Sequence, residues 1–185
     1  MTQSGTVETQ AAQVLDPLRE DHHKVKQLFD EFEAATESEE KQRIVEEAIH
    51  ALQQHSYVEE KVLYPAFLPA LDEEQLMREA LEEHHVVHLL IAELKKLKPT
   101  DERYDAKFTV LAENVRHHIK EEEGEMFPQV EESDLDWAIL ADKASEAKRQ
   151  FSSKGGRAGR SRTRTKKAKK SARLLTRRLF IIIGG

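Results

Sequence analysis

An eleven-residue stretch occurs twice, 63 positions apart: HSYVEEKVLYP over residues 55–65 and HIKEEEGEMFP over residues 118–128. Each copy has His, then Glu four and five residues later, an aromatic residue at nine and Pro at ten. A second pair lies upstream, EDHHKV over residues 20–25 and EEHHVV over residues 82–87, offset by 62. A repeat at fixed offset means two copies of one supersecondary unit, each burying its face against the other. The unit is thus duplicated across roughly the first 130 residues.

The spacing inside the repeat is helical. After Asp16 and Pro17, a good helix opening, Leu18, His22, Val25, Phe29 and Phe32 recur at four, three, four and three. His22 falls on that face and His23 on the wet side. Thr36 with Glu39 reads as a capping box for a second helix, with stripe Ile44, Ala48, Leu52, His55, Glu59 and Val62, stopped by Pro65. Asp72 with Gln75 caps a third, with stripe Met77, Leu81, His84, His88 and Ile91, stopped by Pro99. Thr100 or Asp101 opens a fourth, with stripe Phe108, Leu111, Val115, His118, Glu122 and Met126, stopped by Pro128. Residues 133–150 form a shorter fifth. No stretch alternates with period two. The expected fold is all-α, an up-down-up-down four-helix bundle with short connections.

Charge divides the chain. No acid follows Glu146, and Lys154 through Arg178 hold 12 Lys or Arg, leaving 17 of the 29 bases against all 35 acids upstream. The expected organisation is a flexible start over residues 1–14, a bundle over 15–151 and a disordered basic tail over 152–185. Such a tail suits non-specific contact with a phosphate backbone. The first 15 residues lack a leader pattern. The apolar run from Leu174 to Ile183 is interrupted by Arg177 and Arg178, too short to cross a bilayer. The expected location is cytoplasmic.

With no Cys, any metal must be held by His and carboxylate. Five of the nine histidines, His22, His55, His84, His88 and His118, lie on the apolar stripes with Glu59 and Glu122. Each buried polar group without a partner costs about 1–3 kcal/mol. Seven on one set of faces must satisfy one another, hold water or hold a cation. A lone His on such a face is usually a satisfied core residue. Convergence from four helices at matching depth favours metal, and pairs at i, i+4 aim two side chains at one point. Imidazole and carboxylate without thiolate suit iron, manganese or zinc.

These residues resemble the hemerythrin family, specifically its HHE cation-binding domains, over about residues 16–130. The resemblance implies a non-haem di-iron centre. His22 would serve from the first helix, His55 and a bridging Glu59 from the second, His84 and His88 from the third, and His118 with its following acid from the fourth. In oxygen-carrying hemerythrins that acid sits five residues after the His, here Glu123; the repeat and the stripe favour Glu122.

Three functions follow from such a chain. The first is a protein that binds O2, peroxide or NO for sensing, storage or protection against oxidants. The second is an enzyme that disproportionates peroxide or oxidises iron, for which Tyr57 and Tyr64 are candidate proton or electron donors. The third is a nucleic-acid-associated protein working through its tail.

Overall fold

The computed structural model describes residues 4–72 and 74–153, with side chains from Gln10 onward. The expected basic tail, apart from Ser152 and Ser153, and the apolar run from Leu174 lie outside the described residues. All regular structure among the described residues is helical. Helices α1 (Ser4–Ala34), α2 (Ser38–Val58), α4 (Glu74–Leu94) and α5 (Tyr104–Glu121) are the long rods. Short helices α3 (Tyr64–Phe67) and α6 (Phe127–Glu131) extend α2 and α5. A last helix, α7, covers residues 137–153, opened by the Asp136 carboxylate, which accepts from the Ile139 amide at 3.0 Å. The bundle pairs α1 with α2, α4 with α5, and α1 with α5.

Several helix ends differ from their expected places. Helix α1 does not open at Asp16–Pro17 but passes through Pro17, so residues 4–14 are helical rather than a loose start. An interior Pro costs a helix about 3 kcal/mol. Burial of Ala11, Val14, Leu15 and Leu18 on one continuous face offsets it. Thr36 and Glu39 form no capping box: the N-cap of α2 is Glu37, without a side-chain bond. Thr100 and Asp101 lie in a turn, and α5 starts at Tyr104. On α4 the apolar face is Met77, Ala80, His84, Val87, Ile91 and Leu94, and Leu81 is exposed.

Neither Pro65 nor Pro128 stops its helix. Each follows a π-helical turn, Glu59–Leu63 or Glu122–Met126. The Tyr64 amide there donates to the Glu59 carbonyl and the Phe127 amide to the Glu122 carbonyl, five residues back. A proline lacks a donor, and its ring clashes with the carbonyl four residues before it. One extra residue in the turn shifts that carbonyl away, so the helix resumes. Both π turns begin at a stripe glutamate, and such turns gather at functional positions.

The apolar interior falls into two clusters. One holds Phe29, Phe32, Ile44, Leu52, Val87, Phe108 and Val115. The other holds Leu15, Leu18, Leu63, Phe67, Met77, Met126 and Trp137. On three rods the stripe histidine falls between them, His22 between Leu18 and Val25, His55 between Leu52 and Val58 and His84 between Ala80 and Val87, and after α5 Glu122 falls between Ile119 and Met126. Phe108 is wholly buried, its ring 5.6 Å from Phe29 and 4.4 Å from Phe32. Phe108→Ala is expected to cost about 3–5 kcal/mol, read from the urea midpoint. A loss under about 1 kcal/mol would contradict this packing.

Candidate metal centre

Six of the seven expected ligands meet in the polar layer. His22, His55, His84, His118, Glu59 and Glu122 are all at least 94% buried. The imidazoles form two matching pairs. His22 and His55 have ring centroids 4.7 Å apart at 60°, with Nε2 atoms 3.0 Å apart. His84 and His118 repeat the 4.7 Å and 60°, with Nε2 atoms 3.1 Å apart. The sequence duplication thus becomes a local two-fold arrangement.

The carboxylates join the pairs. Glu59 Oε1 lies 2.9 Å from His55 Nε2, and its Oε2 lies 3.4 Å from His84 Nε2. Glu122 Oε2 lies 3.3 Å from His22 Nε2 and 3.4 Å from His118 Nε2. Each carboxylate therefore touches one imidazole of each pair. His22, His55, Glu59 and Glu122 form one group able to hold an ion, and Glu59, His84 and His118 a second.

An outer ring of acids sets the imidazole orientation. Glu123 Oε1 is 2.8 Å from His22 Nδ1, and Glu83 Oε2 is 2.8 Å from His118 Nδ1. Glu60 Oε1 is 3.2 Å from His84 Nδ1, and Asp21 Oδ2 is 3.8 Å from His55 Nδ1, an ion-pair distance. For His22, His118 and His84 a hydrogen-bonded carboxylate at Nδ1 favours the proton there and leaves the Nε2 lone pair facing inward, whereas His55 Nδ1 makes no hydrogen bond. Four Nε2 atoms then converge on two carboxylates in a layer whose members are all buried. His55 Nδ1, both Glu59 oxygens and Glu122 Oε2 are buried without a directed hydrogen bond. That donor set is unfavourable empty and fits divalent cations.

His88 is not brought into the cluster. Its side chain is 41% exposed, and Nε2 is 2.9 Å from Glu60 Oε1. It supports the acid that supports His84. Of the two fourth-helix acids, Glu122 lies in the cluster and Glu123 lies 2.8 Å from His22 Nδ1. Reading the stripes alone missed Asp21, Glu60 and Glu83. The duplicated acid before each His-His pair, and the second acid of each Glu-Glu pair, were the signals for them.

Tyr64 adds a group the two-fold lacks. Its hydroxyl donates to Glu122 Oε1 at 2.7 Å and lies 3.2 Å from His84 Nε2. Phe127, its counterpart in the repeat, stacks 5.9 Å from His22 at 7°. Burial, then the Glu122 and Glu59 charges, push the Tyr64 hydroxyl well above its ordinary pKa, so it keeps its proton at neutral pH.

Without a cation, protons fill its role. Burial opposes charge on His55, but Glu59, Asp21 and Glu122 outweigh it and raise its pKa to about 10. His118 likewise rises to about 10, through Glu122, Glu83 and Glu59 acting against burial. These two histidines are repeat equivalents. A folded pKa above the ordinary 6.5 means stability fully present below about 6.5 and lost as pH rises through about 10. At the acid end, His84 and His88 hold Glu60 down to about 2, so its contribution is present above 4.5 and lost as pH falls toward 2. Thermal melts of metal-free protein are therefore expected to fall between pH 6.5 and 10. A melting temperature that rises across that window would contradict it.

Beside the imidazole pairs lies a cavity of about 20 Å³, lined by His22, His55, His84 and His118 and by Val25, Leu52, Val87, Val115 and Ile119. That admits one water or a molecule of two or three atoms.

A family model described as the hemerythrin HHE cation binding domain matches residues 13–130. The chain is 27% identical over 117 residues to a DNA nickase from Nostoc, covering 63% of this chain and 33% of that protein. It is 26% identical over 120 residues to an uncharacterized hemerythrin-like protein from Schizosaccharomyces pombe, covering 64% of this chain and 59% of that one. The chain thus spans less than two thirds of either relative. The crystal structure of a hemerythrin HHE cation binding domain-containing protein from Mycobacterium kansasii matches with a TM-score of 0.62 and 25% identity, over 72% of this chain and 83% of that chain. With the model matching more than half the sequence, and two joined His/Glu groups where it matches, this chain belongs to the hemerythrin HHE cation-binding family.

Proposed function

We propose that this chain carries a non-haem di-iron centre that binds a small oxidant (O2, peroxide or NO) for sensing, storage or protection against oxidative stress. The observation that carries the reading is the convergence of four Nε2 atoms on two shared carboxylates, beside a cavity sized for a very small molecule. His22, His55, His84 and His118 would hold the metal, with Glu59 and Glu122 shared between the two positions. Iron, when bound, supplies the redox couple and open coordination positions. The chain's own contribution is selection: aliphatic walls favour small, weakly hydrated ligands and exclude bulk water.

Tyr64 supports a second reading, peroxide turnover. A neutral hydroxyl 2.7 Å from Glu122 and 3.2 Å from His84 Nε2 is positioned to act as a proton donor to a peroxide held beside it. The reference experiment is metal content and visible spectrum of the full chain, before and after reduction and exposure to air or peroxide. Two irons per chain with bands that respond to oxidant support the centre. A lasting oxidised form favours binding, and repeated peroxide consumption favours turnover. Folded protein grown with iron that retains none would refute both.

A separate role follows from charge. The 12 cationic residues from Lys154 to Arg178 support non-specific contact with nucleic acid, and one relative is named a DNA nickase. DNA affinity that falls steeply with salt and disappears on removing residues 152–185 is expected. Full-length protein that ignores DNA at low salt would end that reading. No helix among the described residues is long and apolar enough to cross a membrane, and the location we propose is cytoplasmic.

A further inference from the structure

The two halves match in their imidazole pairs, although the His22–His55 group counts two inner carboxylates and the His84–His118 group one, and they differ in what neutralises the outer acids. In the His22–His55 half the partners are lysines: Lys148 Nζ lies 2.8 and 3.0 Å from the Asp21 oxygens, and Lys26 Nζ lies 3.9 Å from Glu123 Oε2. In the His84–His118 half they are histidines: His88 Nε2 is 2.9 Å from Glu60 Oε1, and His117 Nε2 is 3.5 Å from Glu83 Oε1. Lys148 arrives from α7, which lies outside the repeat.

An acid beside Nδ1 raises the basicity of a ligating imidazole, and such outer partners change metal affinity about 10–100-fold. An ammonium group on that acid withdraws part of the effect and adds a fixed positive charge near a cation site. We propose that the two metal positions are unequal, the His84–His118 position filling first and more tightly, with Lys148 as the positioning residue that weakens the His22–His55 position. Its effect runs electrostatically through Asp21, 3.8 Å from His55 Nδ1. The exposed, longer Lys26–Glu123 contact adds less. The weaker position is then the exchangeable one. This inference rests on the metal-centre reading above.

The test is calorimetric titration of metal-free full-length protein with Mn2+, which avoids oxidation by air. Wild type is expected to fill in two steps at least about tenfold apart. Lys148→Gln should tighten the weaker step by about tenfold, with the tighter step unchanged, and Lys148→Arg should behave as wild type. Lys26→Gln, which leaves α7 untouched, should shift the same step in the same direction by less. A purely structural role for Lys148 predicts the opposite, because a loosened α7 would weaken binding. Two equal steps in wild type, or an unchanged, weakened or jointly shifted pair of steps in Lys148→Gln, would overturn the proposal. Wild type that binds no metal would instead refute the metal centre itself.

Discussion

Glu59→Gln is expected to empty both metal positions at once. Glu59 presents a separate oxygen to each pair, one toward His55 and the other toward His84, whereas Glu122 reaches His22 and His118 with a single oxygen. It is wholly buried, so no water replaces a lost charge. Gln has nearly the same volume, so the bundle should remain folded and the loss be chemical. Each position loses an anionic donor, and affinity at both is expected to fall more than about 100-fold, beyond the range for outer-shell changes. His22→Ala touches only one group and should leave close to one ion per chain. Metal analysis after gel filtration, with circular dichroism to confirm folding, distinguishes the two. Glu59→Gln protein that retains two ions per chain would disprove the shared-carboxylate arrangement.

Tyr64→Phe is expected to separate binding from turnover. The repeat already places a phenyl group at the equivalent position, Phe127, so a ring without hydroxyl suits the fold. The variant loses the 2.7 Å bond to Glu122. Hydrogen bonds to charged groups contribute about 1.5–3 kcal/mol, and metal-free protein should lose that much stability in urea. Metal content should hold, since every residue of the two ligand groups remains. If the hydroxyl is the proton donor, peroxide consumption should drop at least about 100-fold, the lower end for general acids. Unchanged consumption would remove Tyr64 from the chemistry and leave it as a brace for Glu122.

Much of this protein was legible before folding. The duplication and the 3.6-residue stripes determined four amphipathic rods, and they placed His22, His55, Glu59, His84, His118 and Glu122 on the faces that meet. Periodicity suffices there because a helix face is a local property: side chains three and four apart share it whatever else the chain does. Local rules failed where tertiary burial outweighed them. Pro17 reads as a start and Pro65 and Pro128 as stops, yet buried side chains on both sides of each carry the helix through.

What only the tertiary structure decided is which atoms lie across from one another. Glu122 and Glu123 differ by one position in sequence, but a π turn beginning at Glu122 directs one into the cluster and the other onto His22. His88 lies one turn beyond His84 at i, i+4, but the buried face of α4 continues through Val87 and Ile91, so His88 meets Glu60 at the bundle surface. The lysine on Asp21 comes from residue 148, 127 positions away. No period or repeat specifies a contact of that range, because it depends on where a separate helix docks, and docking is set by burial of Trp137, Leu140 and Ala147 rather than by local spacing.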